Sequence, residues 1–65
     1  MNYDQYLFSQ LLILYNPDFA VMEYDLQYYE ALEMYEDFER SEFNEDFRGL
    51  YMCIINYLEN KYSKP

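Results

Sequence analysis

The sequence predicts an all-α fold: one domain over residues 1–65, a small bundle of three helices at about 3–15, 17–39 and 44–62, with a dimer left open. Three observations predict it. The 65 residues contain one Gly and two Pro, too few breakers for a chain of hairpins. Apolar residues recur at three- and four-residue steps in three successive segments. The chain is 52% hydrophobic and 23% aromatic, well above what a disordered segment carries.

The first segment starts at Tyr3, with Asn2 as its cap and Asp4 at the positive end of the helix dipole. Leu7, Phe8, Leu11, Leu12, Leu14 and Tyr15 make a broad apolar face. Asn16-Pro17 ends it, because a residue before proline avoids the helical region.

The second segment restarts at once, with Asn16 as cap, Pro17 at the first helical position and Asp18 in the first turn. Val21, Tyr24, Tyr28, Ala31, Tyr35 and Phe38 then form one inward stripe, while Met22, Leu26 and Tyr29 fall on the acidic side. Residues 20–28 also alternate in the manner of a strand, a competing reading for that stretch. Glu30 to Met34 is rich in helix formers and favours the helix from there on.

The third segment follows a turn near Arg40 to Asn44, with Ser41 or Asn44 as cap and Glu45 and Asp46 in its first turn. Phe47, Leu50 or Tyr51, Ile54, Leu58 and Tyr62 form its inner face, and Lys61 and Lys64 lie at its negative end. Gly49 permits a close helix contact or merely weakens the start.

Size limits the core. A domain this small rarely gains more than about 3–5 kcal/mol from its core alone and usually adds disulfides, a metal or a partner. Cys53 is the only cysteine and there is no histidine, which rules out an internal disulfide and makes a zinc site a poor fit. The flanks Met52 and Ile54 mark Cys53 as a core residue. Residues 44–49 begin like a calcium loop, but Arg48 and Ile55 occupy ligand positions. No catalytic constellation is visible, so neither an enzyme nor a cofactor is expected.

Charge points to function. Between Asp18 and Asp46 stand 11 carboxylates against Arg40 alone, net −10 over 29 residues. The whole chain carries −9. This disfavours direct contact with nucleic acid or an anionic membrane and favours a basic protein partner. The acidic start lacks the basic region of a signal peptide, and the lone cysteine suits a reducing compartment, so the expected location is the cytoplasm, the host's if the chain is viral. Surface helices normally pair such acids with Lys or Arg at i,i+4; here only Arg40 is nearby, so the charges are expected to stay uncompensated. Eight acids from Asp18 to Glu39, on a helix of roughly 33 Å, give one charge per roughly 4 Å. A DNA strand carries one per about 3.4 Å.

In size, acidity, aromatic content and charge spacing over residues 18–46, the chain resembles the DNA-mimic inhibitors of phages and mobile elements: anti-restriction proteins, anti-CRISPR proteins and uracil-DNA glycosylase inhibitors. The resemblance implies an inhibitor that occupies the nucleic-acid site of a host defence or repair complex. Tyr28-Tyr29 is similar to the adjacent tyrosines of bacteriocin immunity proteins, without the proline that follows them there. The candidate partner-binding residues are Glu30, Glu33, Glu36 and Asp37 at the centre, extended by Glu23, Asp25, Tyr29, Glu42, Glu45 and Asp46. The alternative is a small adaptor or immunity-type protein that joins its partner through Met22, Leu26 and Tyr29, with the acid serving solubility.

Overall fold

A computed structural model describes residues 2–45 and 48–63. Three α-helices, α1 (Tyr3–Tyr15), α2 (Tyr24–Arg40) and α3 (Leu50–Tyr62), form the bundle, and short 3₁₀ turns lie at Pro17–Val21 and Glu42–Glu45. Among the described residues there is no strand, so the alternation over residues 20–28 does not express itself as one. No described helix is long and apolar enough to cross a membrane.

Asn2 caps α1, its side-chain oxygen accepting from the Gln5 amide at 2.8 Å. Phe8, Leu11 and Leu12 are buried, but Leu14 is 68% exposed and leaves the expected inner face. The face of α1 that meets α2 and α3 is centred on Phe8 and Leu12, and Leu14 projects on the opposite side.

The second segment is not one helix from residue 17. Its 3₁₀ turn ends at Val21, and Met22 and Glu23 are extended before α2 begins. Two forces produce the break. Phe19 is buried, and its place in the core is held by the 3₁₀ turn that carries it. The Gln27 side-chain amide then donates to the Phe19 and Ala20 carbonyls at 3.0 and 3.1 Å, taking acceptors that a continuous helix would use. As a result Val21 and Tyr24, expected inside, are 83% and 81% exposed, and Tyr28 is only half-covered. Ala31, Tyr35 and Phe38 are buried as the stripe predicts. Met22 packs against the core and not on the acidic side.

Ser41 ends α2 in place of starting α3: its hydroxyl donates to the Phe38 carbonyl at 2.6 Å and accepts from the Phe43 amide at 3.2 Å. The Asn44 side chain donates to the Glu39 carbonyl. The cap of α3 is Gly49, at φ 103° and ψ 171°. A Cβ there would meet nothing within 4 Å, so the glycine serves a backbone conformation open almost only to glycine, and not a close helix contact. Cys53, Ile54, Tyr57 and Leu58 are buried, while Tyr51 is exposed and Leu50 half-buried. The expected Phe47, Lys64 and Asp46 lie outside the described residues.

The core is aromatic. Phe8, fully buried, touches the rings of Tyr35, Phe38 and Tyr57 at 5.7, 5.6 and 5.9 Å between centroids. One side chain from α1 thereby ties α2 to α3. Phe38 and Tyr57 meet nearly edge to face at 5.5 Å. Tyr15 and Tyr62 stack at 6.3 Å beside it.

Candidate protein-interaction surface

With Ala31, Tyr35 and Phe38 committed to the core, the opposite side of α2 faces outward along its 17 residues, roughly 25 Å. Leu26, Tyr29, Glu33, Glu36 and Arg40 follow one another there at three- and four-residue steps. Asp25 flanks this stripe on one side, Glu30 and Asp37 on the other. All these residues are exposed. Leu26 and Tyr29, 55% and 66% exposed, put an apolar pair at the N-terminal end of the acidic stretch. The Tyr29 ring leans on Tyr28 at 5.4 Å, nearly perpendicular.

The structure brings Glu30, Glu33 and Asp37 together along one groove of about 350 Å³ between α2 and α3, whose other walls are Met34, Arg40, Tyr57 and Lys61. Glu36 and Asp25 lie outside it. Glu23 precedes the first turn of α2 and makes no side-chain capping bond, and Glu42 and Glu45 are exposed on the 3₁₀ turn beyond the other end. The acidic surface is thus an axial strip and not a compact patch. Its helical part is shorter than the 22-residue helix the sequence suggested; α2 carries six carboxylates over roughly 25 Å, near one per 4 Å, with five on the outward strip and Glu39 on the flank beside the Tyr35 hydroxyl.

Two residues of α3 were missed. Tyr57 donates to Asp37 Oδ2 at 2.5 Å. Burial pushes the Tyr57 hydroxyl well above its ordinary pKa, and the hydrogen bond to Asp37 adds to this. Lys61 stands over the Tyr57 ring with its amine 6.0 Å from the centroid. So the groove side of the strip has Arg40 and Lys61 beside it, whereas the sequence alone showed only Arg40 nearby. The signal for Tyr57 was present: it follows Ile54 by three on the inner stripe, and a buried tyrosine hydroxyl needs an acceptor. Nothing local in the sequence pairs it with a residue 20 positions earlier.

Asp37 is therefore a structural acceptor as well as a charge. Asp37→Ala is expected to cost about 1–3 kcal/mol by stranding the part-buried Tyr57 hydroxyl, and Tyr57→Phe less, because the exposed carboxylate simply rehydrates. Urea unfolding followed by circular dichroism measures both.

The tyrosines also set the alkaline limit of stability. Burial raises the pKa of Tyr15, Tyr35 and Tyr57, with further contributions from Glu59, Glu39 and Asp37 respectively. Below about pH 10 these hydroxyls are protonated in both the folded and unfolded chain, and their contribution is constant. Above it the unfolded chain ionises first and binds fewer protons, so stability falls as pH rises toward the folded pKa values. Melting temperatures should hold level up to about pH 9.5 and decline beyond it, while an unchanged value at pH 11 would contradict the burial of these hydroxyls.

Among the described residues no cluster of His, Cys, Asp or Glu is placed to hold a metal ion. The strip can act through charge, exposed tyrosine and one apolar pair. Comparison with protein-family models, characterised proteins and solved structures gives no match.

Proposed function

We propose that the chain is an inhibitor that binds a basic nucleic-acid-binding protein through the outward face of α2 and blocks access of nucleic acid to it, in the manner of anti-CRISPR, anti-restriction or glycosylase-inhibitor proteins. The single observation behind this reading is the axial run of exposed carboxylates on α2 at near-phosphate spacing. Helix geometry fixes the spacing, so the strip meets a basic groove with little ordering cost. Leu26 and Tyr29 supply the apolar contact that charge lacks, an exposed aromatic ringed by polar groups being the usual make-up of a binding hot spot.

Salt dependence tests the reading. The protein is immobilised, and proteins retained from a bacterial lysate are measured for affinity between about 50 and 500 mM salt. Binding that weakens steeply supports charge mimicry. Binding that ignores salt replaces it with an adaptor working through Leu26 and Tyr29, since Met22 packs against the core.

A further inference from the structure

The outward face of α1 is the chemical opposite of α2. Tyr3, Tyr6, Gln10 and Leu14 line it at three- and four-residue steps, with Tyr3, Tyr6 and Leu14 69%, 54% and 68% exposed. The sole charged residue of α1, Asp4, acts on the Tyr35 hydroxyl on the flank toward α2. Tyr6 and Gln10 continue into a cleft of about 270 Å³ between α1, the 3₁₀ turn at Pro17–Val21 and α2, where Tyr24 and Tyr28 form part of the far wall. Among the described residues, none that lines this cleft is charged. On a chain of net −9, one continuous surface is therefore uncharged and tyrosine-rich.

We propose that this surface pairs two copies of the chain about a two-fold axis, the α1 ridge of each copy seated in the Tyr6–Tyr28 cleft of the other. Charge selects the occupant. A basic partner is drawn to the carboxylates of α2 and finds no counter-charge here. A second copy approaching by any acidic face meets repulsion, whereas the residues that line this ridge and cleft carry no charge. Shape agrees, because ridge and cleft lie side by side and share Tyr6 and Gln10, as a self-complementary two-fold contact requires. Area agrees too. Tyr3, Tyr6 and Tyr24 alone offer roughly 300–500 Å² at their exposures of 69%, 54% and 81%, and Leu14 and Tyr28 bring the face within reach of the ~800 Å² per partner of a standard interface. That is roughly one-sixth of the 4678 Å² surface. An α1 that is apolar on both its inner and outer sides is a helix built to be covered on both. Pairing leaves the outward stripe of α2 free in each copy.

The proposal stands apart from the role of α2, and salt separates the two: screening weakens binding of a basic partner but strengthens association of two acidic chains. Sedimentation velocity of the purified chain, from about 1 to about 200 μM, is expected to show twice the 8.1 kDa chain mass at the upper end, with a tighter dimer at about 0.5 M salt. Tyr6→Lys with Leu14→Lys is expected to weaken the dimer more than about tenfold while the helical circular dichroism stays unchanged, both side chains being exposed. A wild-type monomer throughout, at both salt concentrations, overturns the proposal whatever the variant does. A dimer whose dissociation constant the double variant leaves unchanged places the contact elsewhere and overturns it equally.

Discussion

Replacing Glu30, Glu33 and Glu36 together by lysine is expected to abolish partner binding, with a loss of more than about a thousandfold at low salt. Close charge pairs at protein interfaces couple by about 1.5–7 kcal/mol each, and the triple reversal turns three attractions into repulsions. It moves the net charge from −9 to −3, which also removes long-range steering. The fold is expected to persist. All three side chains are exposed, and like-charge neighbours such as Glu30 and Glu33 cost the helix a few tenths of a kcal/mol as they stand. Asp37 is left intact because Tyr57 depends on it. Asp4→Lys, on α1, is the control and should weaken binding less than about tenfold. Glu59 is a poorer control, since it accepts from the Tyr15 and Ser63 hydroxyls at 3.1 and 2.8 Å. Titration of retained partner against each variant, with circular dichroism in parallel, separates loss of binding from loss of fold.

Phe8→Ala is expected to unfold the chain at room temperature. Truncating a buried phenylalanine costs about 3–5 kcal/mol, close to the whole margin of a domain this small. The geometry puts Phe8 at the upper end of that range, because its ring is fully buried and touches Tyr35, Phe38 and Tyr57 at once. Tyr35 and Tyr57 also pack on Phe38, at 6.0 and 5.5 Å, so none of these three rings moves into the space without disturbing another ring contact. Leu14→Ala, six residues on but outward, should fall within about 0.5 kcal/mol of wild type. Far-ultraviolet circular dichroism distinguishes the two, and a cooperative melt retained in Phe8→Ala would mean that α2 and α3 hold together without α1.

How much of this was legible in the sequence differs by element. The cap at Asn2, the stop at Asn16-Pro17 and the buried Ala31, Tyr35 and Phe38 are local matters, and local pattern predicted them. The break before Tyr24 was not, because it depends on Gln27 reaching back to the Phe19 and Ala20 carbonyls and on Phe19 entering the core. A periodic stripe cannot show where the chain profits more from turning than from continuing. That one break explains why Val21 and Tyr24 lie outside and why Met22 lies inside. For the candidate surface, composition alone revealed the acid, and the outward placement of Tyr29, Glu33 and Glu36 agrees with the helical period. The roles of Tyr57 and Lys61 depended on packing of α3 against α2, which no spacing rule encodes. The uncharged face of α1 depends on Leu14 pointing away from the core, which the broad apolar pattern of that segment does not encode.

Competition of α2 for the place where nucleic acid binds is read out by displacement at fixed ionic strength. A bacterial protein retained on the immobilised chain is challenged with duplex and single-stranded oligonucleotide while the salt concentration is held constant. Release in proportion to the nucleic acid added is expected, with no protein retained on the Glu30, Glu33 and Glu36 triple-lysine variant. A ternary complex, in which the retained protein holds nucleic acid and this chain together, would contradict it.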